Sequence, residues 1–218
     1  MIRPFGFNEF LFILTAVQWT IALSAIAFCG GGLGGLAIAL ARTSSLKLLR
    51  LVTTGYIRLF QGTPLLMQLF LVYFGANIFG LPLNAWIAAL LALSLHASAF
   101  LGEIWRGCIQ AVAPGQNEAA TALALNYRDR MRYVILPQAA RIAVAPTVGF
   151  LVQLIKGTSL ASIIGFMELT RSGQIINNAT FEPFKVFGVV ALIYFSLCWP
   201  LSLLARRLER HFARSTAK

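Results

Sequence analysis

Carboxylates are scarce in this chain. It carries 7 Asp and Glu among 218 residues, against 18 Lys and Arg, and the seven are scattered from Glu9 to Glu209. Acid–base or nucleophilic catalysis needs a carboxylate pair, or a nucleophile with its base in reach, and this set supplies neither. Histidine is scarcer still: His96 and His211 stand far apart and form no ligand cluster. The three cysteines, Cys29, Cys108 and Cys198, lie in or beside apolar runs, without disulfide or metal spacing. A faint phosphate-loop look at Lys156-Gly157-Thr158-Ser159 fails on order, because that motif needs Gly-Lys-Ser/Thr with an earlier Gly. The chain is therefore read as no enzyme, with no metal and no cofactor of its own.

What fills the space is apolar. Hydrophobic residues make up 58% of the sequence and charged ones 11%, too little polar surface to cover a globule in water. The bilayer must be the solvent, and the fold class is an all-α polytopic membrane protein. A net charge of +11 would suggest nucleic acid for a soluble protein; here the positive-inside rule accounts for it, and no nucleic-acid partner is implied. The first apolar run continues well past the length of a signal core and has no convincing cleavage site, so it reads as a retained span.

Five spans are expected, at about 10–41, 51–78, 85–108, 142–166 and 184–204, within one domain of residues 1–218. The run Cys29–Gly35 is rich in Gly, which in lipid allows close helix packing. Pro64 should kink the second span. Arg42, Lys47, Arg50, Arg106, Arg128, Arg130, Arg132, Arg141, Arg206, Arg207, Arg210, Arg214 and Lys218 fall on one side of this topology, and Arg3, Arg171 and Lys185 on the other. That asymmetry sets the C-terminus in the cytoplasm and the N-terminus outside. The stretch Glu168–Pro183 reads as an outer loop, and the residues after Leu204 as a basic tail.

Polar residues inside the spans are expensive in lipid and turn inward. They make Gln61, Thr63, Pro64 and Gln68 on the second span, and Gln153, Lys156 and Ser159 on the fourth, candidates for a translocation pathway. Glu103 and Arg106, three apart, suit a structural ion pair at the end of the third span. Between the third and fourth spans lies the only long polar interval, 114–141. Gln116–Tyr127 reads as one short helix, with Ala119, Ala122, Leu123 and Tyr127 on one face and Glu118 near its positive end. A dozen residues cannot cross a bilayer. Pro137 would open the next helix at a position where its missing N–H does no harm. Such a small-faced helix is a handle for a partner.

The same residues carry a resemblance. Gln116, Glu118, Ala119 and Ala120, followed by Ile135-Leu136-Pro137-Gln138-Ala139, resemble the EAA loop of binding-protein-dependent ABC importer permeases, in the flavour of the polar amino acid (histidine/glutamine/arginine) uptake family. Gln61-Gly62-Thr63-Pro64-Leu65-Leu66 and the run Leu151–Gly165 are similar to further signatures, and the likeness extends from about Gln18 to Arg207. Three positions depart from the pattern: Gln61 stands where Arg is general, Ala124 where Gly is usual, and Gly157 where an acid or amide is commoner. The substitution at Ala124 is expected to be conservative because a helix tolerates alanine, with the turn normally made there tighter or shifted.

The resemblance implies a type I importer permease fold of five transmembrane helices. Gln116, Glu118, Ala119, Ala120, Leu123, Ala124 and Pro137 would form the cytoplasmic coupling helix that docks on an ATPase. It also implies two ATPase subunits holding ATP and Mg, a second permease subunit (identical or paralogous), and an extracytoplasmic amino-acid binding protein that faces the loop containing Leu169–Gln174. The place would be the bacterial inner membrane. Two other classes are open to such a sequence. A non-transporting scaffold would recruit a cytoplasmic partner through the same loop, and a channel or secondary carrier half would call for an inverted repeat or coupling-ion site, neither of which is visible.

Overall fold

The computed structural model describes residues 4–216, with side chains through His211. Arg3 and Lys218, and the side chain of Arg214, lie outside the described residues. Helix follows helix: α1 (Phe7–Thr15), α2 (Val17–Thr43), α3 (Lys47–Gly62), α4 (Leu65–Ile78), α5 (Ala85–Gln110), α6 (Pro114–Ala122) and a single turn, α7 (Tyr127–Asp129). A π-helical segment, Arg130–Ile135, leads into α8 (Leu136–Gly157). A 3₁₀ segment, Thr158–Ile164, then α9 (Leu169–Thr180) and α10 (Pro183–Thr216) complete the chain.

Among the described residues, four helical stretches are long and apolar enough to cross a membrane, and five if the bent pair α3–α4 counts as one span. The chain is an all-helical, multi-pass membrane protein. The first stretch is longer than the sequence suggested, running Phe7–Thr43 through a joint at Ala16. At 1.5 Å per residue, its 37 residues measure about 55 Å, well beyond a hydrocarbon core of about 30 Å. The third span, α5, extends only two residues past its expected end.

The centre of the molecule is α2 laid against α5. Lipid tails are as apolar as leucine, so packing contacts and close backbone approach must hold such a pair together. The glycine run provides the approach. A Cβ placed on Gly31 would lie 2.3 Å from the Cβ of Ala97, and one on Gly35 would lie 2.9 Å from that of Leu101. Gly102 returns the favour, since a Cβ there would meet Ile38 Cγ2 at 2.6 Å. On α5, Ala88, Ala89, Ala92 and Ala97 are fully buried beside Leu23, Ala27, Leu69, Phe150 and Leu154. Trp105 Nε1 ties α5 to α8 by donating to Thr147 Oγ1 at 2.8 Å. A second core joins α1, α9 and α10 through Ile13, Leu169, Val186 and Val190.

Four expectations need correction. The second span is not one kinked helix but two helices meeting at 104° across residues 63–64. Pro64 has no N–H, and its ring also pushes Thr63 into extended geometry (φ −117°, ψ 141°), so the ladder stops instead of bending. The fourth span starts earlier, at Leu136, and its helix ends at Gly157, with a 3₁₀ segment carrying on to Ile164. Residues 168–183 are not a loop: Glu168 caps α9, accepting from the N–H groups of Thr170 (2.9 Å) and Arg171 (2.8 Å). The tail beyond Leu204 continues α10 in helical form to Thr216, so Arg206, Arg207 and Arg210 ride on its last turns.

Overpacking costs about 1–3 kcal/mol per misplaced group, and at 2.3 Å the clash at Gly31 is severe. Gly31→Ala should lower the thermal unfolding midpoint of the detergent-solubilised protein, and adding Ala97→Gly should recover part of the loss. An unchanged midpoint in Gly31→Ala would show that α2 and α5 do not meet there.

Candidate functional site

Two regions hold the residues singled out from the sequence. The first is α6 with its mount. Pro114 starts the helix at a position where the missing N–H is harmless. Three groups fasten it to the π segment and the base of α8. Ala120 is buried, Gln138 Nε2 donates to Gln116 Oε1 at 3.1 Å, and Arg130 Nη1 donates to Thr121 Oγ1 at 2.9 Å. Tyr127 Oη reaches the carbonyl of Thr43 at 3.3 Å and links the same loop to the end of α2. The opposite side of α6 is open: Glu118, Ala119 and Ala122 are exposed, and Leu123 projects with 76% of its surface accessible. The result is a short, rigidly held helix with a small-residue outer face and one protruding leucine.

This helix is shorter than the expected Gln116–Tyr127, and Glu118 sits past its first turn. Ala124 is the reason for the early stop. Its φ is +55°, the left-handed region. The N–H of Leu125 returns to the carbonyl of Ala120 at 3.1 Å, and that of Ala124 to Thr121 at 2.9 Å, the paired bonds of a Schellman cap. Glycine is favoured at such a position because it has no Cβ. The alanine is thus not a conservative helical replacement but a residue held in a strained turn. Tyr127 falls beyond the turn, on a separate element capped by Asn126 Oδ1, which accepts from Asp129 N at 3.0 Å. Pro137 stands in the first turn of α8, as expected. It follows the π segment, in which the N–H of Leu136 bonds to Met131 five residues back. The wider turn makes room where the proline ring would press on the carbonyl of Tyr133.

The second region is the α3–α4 break and the end of α8. Gly157 is close to Leu65, since a Cβ there would lie 3.0 Å from Leu65 Cδ2, so the two polar groups of the sequence analysis come to neighbouring parts of the fold. The same contact explains why a small residue occupies position 157. Gln61, Thr63, Pro64, Gln153 and Lys156 are exposed and Ser159 is half-buried, its hydroxyl donating to the carbonyl of Lys156 at 2.7 Å. Gln68 departs from the group. It is 7% exposed and its Nε2 donates to Phe60 O (2.7 Å), Thr63 O (3.0 Å) and Thr63 Oγ1 (3.0 Å). It satisfies carbonyls left over at the end of α3.

Glu103 and Arg106 form a two-pronged pair, with Arg106 Nε to Glu103 Oε2 at 2.8 Å and a second contact from Nη2 to Oε1. Arg42 approaches the same carboxylate at 3.7 Å and also holds Thr54, so the cluster joins α2, α3 and α5. Beside it a cavity of about 310 Å³ is lined by Gln61, Phe100, Glu103, Ile142 and Pro146.

Two groups had no signal in the sequence. His96 Nδ1 lies 3.0 Å from Gln68 Oε1, with its ring 4.4 Å from that of Phe100. Glu168, fully buried, also accepts from Tyr194 Oη at 2.7 Å, and Thr20 Oγ1 accepts from the N–H of Leu169 at 3.2 Å. Burial pushes the Glu168 carboxyl above its ordinary range, against the opposing pull of its hydrogen bonds. The partners are 28 and 26 residues apart respectively, and no local spacing rule detects pairs so distant.

A short helix held between two spans of an all-helical bundle, with one open face, is the arrangement of a multi-pass membrane subunit. Comparison with known proteins specifies the class. Residues 31–218 match the family of binding-protein-dependent transport system inner membrane components. The chain is 38% identical to the probable amino-acid ABC transporter permease protein YckA of Bacillus subtilis (strain 168), covering 94% of this chain and 91% of that one. It is 32% identical to the probable glutamine ABC transporter permease protein GlnM of the same organism, over 96% and 97%. A crystal structure of an amino acid ABC transporter with histidines superposes with a TM-score of 0.88 at 37% identity, covering 96% of this chain and 100% of that chain. The protein belongs to the family of binding-protein-dependent inner membrane components. It is a multi-pass permease subunit of an ABC transporter, and ATP hydrolysis belongs to a separate subunit.

A left-handed alanine costs about 1 kcal/mol relative to glycine. Ala124→Gly should therefore steady the cap, seen as slower hydrogen exchange at the Leu125 amide. Ala124→Val should speed it. Equal exchange in all three proteins would contradict the turn.

Proposed function

We propose that this permease imports polar amino acids delivered by an extracytoplasmic binding protein. Two ATPase subunits carry ATP and Mg, and a second permease subunit completes the pathway. The observation that carries the reading is α6. A rigid mount with an exposed face of Glu118, Ala119, Ala122 and Leu123 is suited to seat in a groove and transmit displacement. Gln116 and Ala120 hold that mount, Ala124 ends it, and Pro137 sets the turn into α8. The relatives named for glutamine, and the structure described with histidines, support a polar amino acid as cargo.

A second permease follows from cost. Gln61, Thr63, Gln153 and Lys156 are uncovered in a single copy, and polar groups at membrane depth are expensive against lipid. A paired subunit would turn them toward a shared, water-accessible route. An amino-acid zwitterion bears both charges, and such a route needs polar groups of this kind to replace its hydration. The Lys and Arg distribution supports an outer N-terminus and a cytoplasmic C-terminus.

Two substitutions test this in vesicles reconstituted with the ATPase and binding protein. Ala119→Trp places a large ring on the outer face of α6 and should abolish ATP-driven uptake while binding-protein docking persists; undiminished uptake would refute the coupling role. Lys156→Met with Gln153→Leu should cut uptake at least tenfold without disturbing ATPase capture, and normal rates would remove both residues from the pathway.

A further inference from the structure

The α3–α4 break leaves a problem in lipid. Helix α3 ends at Gly62, its last carbonyls have no following turn, and Pro64 offers no N–H. Unsatisfied backbone groups are costly where water is excluded. The side chain of Gln68, one turn into α4, answers it by reaching back across the corner to Phe60 O and Thr63 O. The hydroxyl of Thr63 spends its proton on Leu59 O at 2.8 Å and is left as an acceptor for the same amide. All three groups facing Nε2 are thus acceptors, which fixes the orientation of the Gln68 amide and turns Oε1 toward His96. An amide oxygen has no proton to give, so the proton in the 3.0 Å contact belongs to His96 Nδ1.

We propose that His96 is the positioning residue of this corner. Its Nδ1–H holds Gln68 Oε1 so that the amide spans the break and fixes the angle between α3 and α4. The imidazole is itself held in place, 4.4 Å from the ring of Phe100 and 6.5 Å from that of Phe150, so α8 contributes to the same support. The corner also carries Thr63 and Pro64 and abuts Gly157 at the end of α8. A change of angle there would move both polar groups assigned to the pathway. This last step rests on the proposed pathway; the role of His96 at the corner does not.

The aromatic neighbourhood supplies a discriminating pair of variants. His96→Phe keeps a stacking ring and removes the donor, whereas His96→Asn keeps a donor near the Nδ1 position and removes the ring. Spin labels on cysteines at Leu59 in α3 and Leu71 in α4, both exposed, would report the corner by pulsed dipolar distance measurement, with exposed Cys29 replaced by Ser. The wild-type residue should give one narrow distribution. His96→Phe should broaden or shift it, with the closed population falling roughly tenfold relative to open forms, the scale of one lost buried hydrogen bond. His96→Asn should restore most of the narrow component. An unchanged distribution in His96→Phe, or no recovery in His96→Asn, would overturn the proposal. Uptake by the reconstituted assembly is read in parallel: a wild type that fails to transport while the distances behave as stated would count against the proposed function and leave the corner assignment standing.

Discussion

Everything in this molecule hangs on how closely α2 can approach α5. In a bilayer no hydrophobic force drives helices together, so the pair must be held by surfaces that fit. Gly31 and Gly35 on one side and Gly102 on the other remove the atoms that would keep the backbones apart. With α5 fixed against α2, its other faces are free to hold α3, α4 and α8. Tyr56 reaches the Leu95 carbonyl at 2.9 Å, Trp105 reaches Thr147, and Leu93 and Leu101 fill the centre. The end of α5 near α6 is then tied by charge, with Glu103 shared between Arg106 and Arg42.

From that frame the two working parts are placed by backbone chemistry more than by bulk packing. Between α5 and α8, a Schellman cap and a π turn on either side of Tyr127 set the direction of α6. At the corner between α3 and α4, a glutamine side chain takes over the role of a missing helical turn. Each device satisfies carbonyls that the membrane or the fold would otherwise strand.

The parts of this arrangement that were legible in the sequence are those governed by local rules. Hydropathy runs located the spans, glycine density marked the tight packing, and the i, i+3 spacing of Glu103 and Arg106 anticipated their bond. Ala119 and Leu123 were placed on one helical face, and both are exposed, Ala119 on α6 and Leu123 as its C-cap. What stayed hidden depended on pairs distant in sequence or on backbone states that composition does not encode. Proline was read as a kink, but the chain breaks at Pro64, where Gln68 donates to the freed carbonyls of Phe60 and Thr63 from farther along the chain. Ala124 was read as a replacement the helix tolerates, at the cost of a tighter or shifted turn; its left-handed conformation is imposed by the turn it must close. The helix α9 was missed because its buried side, Leu169, Ser172, Gly173 and Thr180, is short and mixed in polarity. Its cap is also a glutamate, an uncommon choice at that position.

The π segment before α8 has a bearing on the whole fourth span. A π turn accommodates extra chain within a helix, and an α-helix advances about 100° per residue. The azimuth at which Gln153 and Lys156 leave α8 is therefore counted from Arg130–Ile135, some twenty residues upstream. Shortening that segment by one residue would let the chain wind as an ordinary α-helix and swing those side chains by more than a quarter of a revolution. The wide turn beneath the bundle is thus a phase setting for the residues above it.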